Sequence, residues 1–328
     1  MPPVSLRPER KASAAPRHSL TLLWAAVCLA APALTTSASA QDAPEASPAI
    51  QAGVEQLGAN LNISPKRLTL SRTQRTASVY IFNQGSAPAT FDVSLVDRVM
   101  LPDGRIAPVD DALAAPAMKP FADRVASAKP MLLAAPRRVT LAPGKGQTIR
   151  VRASPTAELA PAAEYRTHLT VTTVPPREAG YTADQLAALS PNEISFSIRS
   201  AFGVSIPIIV RMSEPQVAAR LENPRVGVAS LSADGLSAPR PTPVATVDVV
   251  RTGSASLFGD LEVIAHKGRS SEVIGAARGL GVYTEIDRRA VQVPLGRAPK
   301  KGERIEVRFS DSDTAPGKLL AAGDLVTP

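Results

Sequence analysis

Thirty-one prolines spread along 328 residues constrain this chain more than any other feature. A proline inside a helix removes a hydrogen bond and clashes with the preceding turn, at about 3 kcal/mol each. A mostly helical protein is therefore excluded, whereas turns, edge strands and linkers accommodate prolines readily. Hydrophobic residues make up 44% of the chain and charged residues 20%, which excludes a wholly disordered polymer. The length suits two ordinary domains, each able to build its own core.

Between the prolines the sequence alternates with period two. Phe91, Val93 and Leu95 alternate with Thr90, Asp92 and Ser94. Tyr165, Thr167, Leu169 and Val171 alternate with Arg166, His168, Thr170 and Thr172, and Ile149 and Val151 do the same with Arg150 and Arg152. This is the signal of half-buried β-strands. Val79–Phe82 reads as a strand buried on both faces, and Asn83-Gln84-Gly85 and Ala142-Pro143-Gly144 read as turns. Leu61 and Ile63 sit on one parity, Leu68 and Leu70 on the other, with Pro65 between them. A strand that changes parity either bulges or crosses between the two sheets of a sandwich. Leu101–Lys129 has weak periodicity and reads as a long loop insertion with one short helix near Pro120–Ala128; Tyr181–Leu189 reads as another helical turn. From Ser213 a second β region begins, with strands expected at Val244–Val250, Leu261–Ala265, Val282–Thr284, Val291–Leu295 and Ile305–Phe309. The expected architecture is all-β: two β-sandwich domains in tandem, at 61–212 and 213–328.

The N-terminus is a targeting signal. Arg7, Arg10, Lys11 and Arg17 precede an apolar run from Leu20 to Leu34, and Ser37-Ala38-Ser39-Ala40 follows before Gln41. This is the layout of a secretory signal peptide over residues 1–40, cleaved after Ala40. Its apolar run is too short to span a bilayer comfortably, which takes about 20 residues, and no later segment is apolar enough. Residues 41–60, rich in Ala, Pro, Gln and Glu, read as a flexible leader. The mature chain keeps 33 Lys and Arg against 28 Asp and Glu. The remaining charge of +5 reads as scattered over strand faces. Cys28 leaves with the signal, so neither a disulfide nor thiol chemistry is expected.

Catalytic signatures are missing. His168 and His266 lie about a hundred residues apart, which gives no metal site of recognisable spacing, and there is no G-x-S-x-G, H-E-x-x-H or P-loop. Gly279-Leu280-Gly281 lacks the following helix of a nucleotide fingerprint, and Asp110-Asp111 reads as a pair of solvated acids. His168 falls on the polar parity of its strand and is expected at the surface. Arg137-Arg138, Lys145, Arg150 and Arg152 form a candidate basic patch, but almost no aromatics are interleaved, so nucleic acid is not indicated. No enzyme activity, metal or cofactor is expected.

Ser195–Ile206 stands apart. Its twelve residues hold no proline, one glycine and one charge, and at ~3.3 Å per residue they would extend about 40 Å, roughly twice a typical strand. Phe196, Ile198, Phe202 and Val204 share one parity, interrupted only by Ser200; Ser195, Ser197, Arg199, Ala201, Gly203 and Ser205 share the other. Only Arg199 and Pro207 could blunt such an edge. The segment is either a central strand with a bulge or an edge meant to be added to another protein.

In their order, Ile63-Ser64-Pro65-Lys66-Arg67-Leu68-Thr69-Leu70, Val79–Asn83, Pro130–Leu133 with Pro136, Leu141–Gly144 through Gln147–Val151, Glu164–Arg166 to Val174-Pro175-Pro176, and the long strand ending Ile208–Arg211 resemble the N-terminal domain of periplasmic pilus-assembly chaperones of the chaperone–usher pathway, the PapD-like proteins. The resemblance covers just under half of the chain. It implies two immunoglobulin-like domains and a periplasmic chaperone whose partners are a pilus or fimbrial subunit and an outer-membrane usher. It also implies that the long strand is donated to the subunit, with Phe196, Ile198, Ser200, Phe202 and Val204 facing its groove. Burying the four apolar side chains would give roughly 6–12 kcal/mol gross, before ordering costs. Arg67 matches the arginine that anchors the subunit's terminal carboxylate. The accompanying lysine falls at Pro207, which carries no charge, leaving Arg199 and Arg211 as secondary basic contacts. A two-domain structural or adhesive surface protein is the alternative, and a glycan-active β-sandwich enzyme ranks below it because no acidic pair stands out.

Overall fold

The computed structural model describes residues 61–154, 162–175, 201–232 and 234–327. The signal peptide, the leader, the helical turn expected at Tyr181–Leu189, and Phe196, Ile198, Arg199 and Ser200 lie outside the described residues.

The first half is built from β1 (Leu61–Ser64), β2 (Leu68–Ser71), β3 (Thr76–Asn83), β4 (Ala89–Val96), β5 (Arg98–Met100), β6 (Ile106–Pro108), β7 (Leu132–Ala135), β8 (Arg138–Leu141), β9 (Gly146–Ala153), β10 (Glu164–Val174) and β11 (Gly203–Arg211). One sheet has the order β1-β3-β9-β7 and the other β2-β11-β10-β4-β8. Two edge strands are split by a proline and pass from one sheet to the other in mid-course, at Pro65 between β1 and β2 and at Pro136 between β7 and β8. This explains the parity switch around Pro65, because the apolar side of a strand must turn over when the strand joins the facing sheet. A split first strand, with its second part running parallel to the last strand, β11, gives an immunoglobulin-like sandwich. Ile63, Leu70, Val79, Ile81, Phe91, Ile149, Leu169 and Ile208 fill its core. The expectation that Val79–Phe82 is buried on both faces is corrected. Val79 and Ile81 are inside, but Tyr80 is 47% exposed on the outer face.

The 101–129 stretch carries more structure than a loop. β5 and β6 form a hairpin, followed by helices α1 (Val109–Ala114) and α2 (Lys119–Ala122). Val99, Ala112 and Ala122 give it a small core of its own. The expected helix at Pro120–Ala128 is one short turn starting earlier. Past it, the chain runs beside β10: the Arg166 N–H donates to the Ala126 carbonyl (2.8 Å), and the Ala128 N–H donates to the Arg166 carbonyl (3.1 Å). This cover, with the second half of the chain, buries β10 on both faces. His168 is therefore 3% exposed, contrary to its surface expectation. Parity identified the face correctly, but that face is not in water.

The second half holds β12 (Ala219–Leu231), β13 (Arg240–Arg251), β14 (Leu257–Lys267), β15 (Ser270–Val282), β16 (Arg288–Pro294), β17 (Arg304–Asp311) and β18 (Leu319–Val326). Sheets of order β12-β13-β16 and β15-β14-β17-β18 enclose a second core around Val247, Leu257, Leu261, Val263, Val293, Val307 and Phe309. The strand expected at Val282–Thr284 instead ends at Val282, and Tyr283–Asp287 forms a turn. Gly279-Leu280-Gly281 lies inside β15 beside a register shift. β12 bulges at Glu222/Arg225, where Asn223 takes a left-handed φ of 53°. Asparagine tolerates that conformation, and here its side-chain amide also donates to Asp248 (2.9 Å).

Candidate functional site

β11 is internal along one half and open along the other. It pairs with β10 from Gly203 to Arg211, but with β2 only from Ile208 to Arg211. Among the described residues, no strand borders Gly203–Pro207 on the β2 side. The Phe202 carbonyl accepts from the Thr173 N–H of β10 (2.8 Å). Backbone groups alternate sides along an antiparallel strand, so Gly203, Ser205 and Pro207 turn theirs toward the open side. Pro207 offers only a carbonyl there, as suits an edge position.

The side chains of β11 follow the same division. Val210, Ile208 and Ile206 are buried in the first core, Val204 is half-buried against it, and Phe202 is 40% exposed. One apolar row thus begins inside the sandwich and runs out of it. On the opposite face, Ser205 Oγ meets Thr170 Oγ1 at 2.8 Å and accepts from Arg98 Nε at 3.1 Å, while Ile209 packs into the second core.

Arg67 precedes Leu68, the partner of Ile208, and so stands level with Pro207 where β2 gives way to the open edge. Its Nη2 donates to Asp313 Oδ2 at 3.0 Å, and its guanidinium lies 4.5 Å from the centre of the Phe258 ring. Nε and Nη1 of Arg67 are buried without a partner among the described residues. Arg211, four residues further along β11, reaches the same carboxylate (2.7 Å) and also Glu164 Oε2 (3.0 Å). Glu164 Oε2 further accepts from the Ser256 N–H (3.3 Å). Burial works against the Arg211 charge, but the Glu164 and Asp313 carboxylates prevail and hold its pKa above the usual value. Arg67 and Arg211, singled out in the sequence, are thus brought together, and both are bound by the chain's own Asp313.

A second buried cluster was not anticipated. Arg166 on β10 pairs with Glu285, donates from Nη2 to the Arg98 carbonyl (2.9 Å), and lies over the Tyr283 ring at 4.1 Å. Glu285 also accepts from the Met100 N–H (2.7 Å), yet its burial raises its pKa despite Arg166. His168 Nδ1 lies 3.4 Å from Arg166 Nη1. Burial, with Arg166 and then Arg98 adding repulsion, lowers the His168 pKa to about 3 and keeps the ring neutral. Asp110 and Asp111 lie in the first turn of α1, and His266 pairs with Glu306 on neighbouring strands (2.9 Å). Among the described residues, no group of three or more His, Cys, Asp or Glu side chains could hold a metal ion. No helix among them is long and apolar enough to cross a membrane.

No family model matches the chain, and no curated protein does. Solved structures similar to it include the YadV chaperone, at 14% identity and a TM-score of 0.40, over 81% of this chain and 99% of that one. The Pseudomonas aeruginosa CupB2 chaperone is similar at 12% and 0.38, over 81% and 100%. The E. coli chaperone DraB is similar at 10% and 0.38, over 82% and 97%.

Proposed function

We propose that this protein is a periplasmic chaperone, not an enzyme, which holds a pilus or fimbrial subunit by donating the open half of β11 and delivers it to an outer-membrane usher. The observation that carries the reading is the apolar row on β11, which leaves the core at Ile206 and continues through Val204 to the exposed Phe202, beside a backbone edge that no strand among the described residues pairs. An edge of this kind can be extended by another chain's strand, with alternate side chains filling its groove. Phe196, Ile198 and Ser200 continue the same parity upstream and would lengthen the donated row. The order of motifs shared with pilus chaperones supports the same reading.

Arg67 stands at the end of this edge and is the anchor for a subunit's terminal carboxylate, with Arg211 or Arg199 as secondary contacts. A charge-assisted bond of that kind gives about 1.5–3 kcal/mol, less than the apolar row. Asp313 already holds Arg67, so the anchor operates only when the incoming carboxylate shares or displaces that aspartate. The test is co-expression with a candidate subunit in the periplasm. Phe202→Glu should abolish co-purification of that subunit while circular dichroism and the melting temperature stay unchanged. Undiminished capture by this variant refutes strand donation. A stable homo-oligomer that forms through the same edge and excludes the subunit would favour a self-associating surface protein instead.

A further inference from the structure

The first sandwich carries its charge very unevenly. Residues 61–91 and 129–154 supply all four strands of the β1-β3-β9-β7 sheet, and they contain ten Lys and Arg and no Asp or Glu. Two of these cations are neutralised from elsewhere: Arg67 by Asp313, and Arg138 by Asp92 (2.7 Å). Among the described residues, Arg150 and Arg152 on β9 have no acidic partner, nor do Arg75, Arg137 and Lys145 in the flanking loops. The net charge of the mature chain is thus concentrated rather than scattered.

The outer face of this sheet has a definite composition. Arg150 and Arg152 stand about 7 Å apart on one face of β9, opposite Ser78 and Thr76 on β3 and opposite Ala135 and Leu133 on β7. Leu133 is 55% exposed. Next to them, the hydroxyl end of Tyr80 sits over Gly146: a Cβ added to that glycine would come within 2.2 Å of the tyrosine oxygen. Phe82 stacks beside Tyr80, with ring centroids 6.4 Å apart. A solvated face ordinarily intersperses both signs of charge. Two uncompensated arginines beside a fixed aromatic pair and an exposed leucine are instead the composition of a protein interface, which is rich in Tyr, Phe and Arg and poor in Lys, Asp and Glu.

We propose that the outer face of the β1-β3-β9-β7 sheet is a docking surface for an acidic protein segment, whose alternate carboxylates meet Arg150 and Arg152 while an apolar or aromatic side chain rests on Tyr80 and Phe82. Carboxylates at alternate positions of an extended segment share the ~7 Å spacing of the two arginines, and each guanidinium offers a bidentate fork. The surface lies on the sheet that does not contain β11, so it is separate from the open edge described above and does not depend on that reading.

The test measures fluorescence anisotropy of two labelled dodecapeptides of identical composition, one with Glu at alternate positions and one with Glu in a block, together with sedimentation on vesicles containing 30% phosphatidylglycerol. The alternating peptide should bind more tightly than the block peptide. R150E/R152E should weaken it more than tenfold, R150Q/R152Q several-fold and Tyr80→Ala three- to tenfold. K267E/R269E, an equal charge change on the β14–β15 turn, should leave binding within twofold. All five substituted positions are exposed, and a thermal melt of each variant serves as the check on folding. Equal binding of the two peptides, or equal loss in the two charge-reversal variants, overturns the proposal. So does vesicle binding that R150E/R152E abolishes while neither peptide binds, which would assign the face to a membrane surface.

Discussion

Burial of His168 makes a quantitative prediction about acid stability. The ring is neutral in the folded protein with a pKa lowered to about 3, whereas an unfolded chain leaves it near 6.5. A base whose folded pKa is depressed contributes stability above its unfolded pKa and loses it as pH falls, because the unfolded state takes up the proton first. Between pH 7.5 and 4.5 the unfolded ring gains nearly a full proton and the folded ring almost none. At 1.36 kcal/mol per pH unit, with about two units lying below 6.5, the linkage is worth about 3 kcal/mol. His168→Gln removes the titration and keeps a carbonyl to accept from Arg166 Nη1. Urea unfolding of both proteins at the two pH values isolates the residue. The wild type should lose about 3 kcal/mol more than the variant on acidification. Glu285 acts in the opposite sense, since its raised pKa makes protonation favour the folded state, but it is present in both proteins and cancels in the double difference. An identical pH dependence of wild type and variant would refute the assignment of a buried neutral ring.

The ion cluster where β11 ends gives two further expectations. Arg211→Ala leaves Glu164, which has no exposed side-chain surface, as an uncompensated buried charge. A loss of about 3–5 kcal/mol is expected in chemical denaturation, and R211M/E164Q should recover most of it. A variant of wild-type stability would show that the pair is not desolvated. Asp313→Asn weakens the hold on Arg67 and should tighten binding of a peptide ending in a free α-carboxylate, whereas Arg67→Ala should weaken it. If isothermal titration shows both variants unchanged, Arg67 is not the anchor.

What was legible in the sequence was local. Alternation revealed β10, β9 and β4 because each has one face in the first core, and the parity switch at Pro65 carried the sheet crossing within a few residues. β12, β15 and β18 gave weak signals for a physical reason. β12 and β15 are edge strands with long half-exposed stretches, and small residues such as Gly275, Ala276, Ala277 and Gly279 provide little hydrophobic contrast. His168 was misread because alternation reports which residues share a face, not what covers it. Its cover comes from the 98–128 segment and from residues more than a hundred positions away.

The charges show the same limit more sharply. Counting ionic groups gives +5 once the expected signal peptide is set aside, and the sequence reads that charge as scattered over strand faces, with Arg137, Arg138, Lys145, Arg150 and Arg152 as a candidate patch. In the fold, acids from the second half, Asp313, Glu285 and Asp287, reach the cations Arg67 and Arg211, Arg166 and Arg124 of the first. Glu285 and Asp313 do so largely out of water, where an unpaired charge would be expensive; Arg124 and Asp287 meet in solvent, where a pair contributes little. These acids therefore neutralise the side of the first sandwich that faces the second, and leave Arg150 and Arg152 on the far sheet without an acidic partner among the described residues. The pairing follows from which side chains the fold buries together, across separations as long as 246 residues between Arg67 and Asp313. The same step that joins the two sandwiches also sorts the basic residues into a satisfied set and an available one.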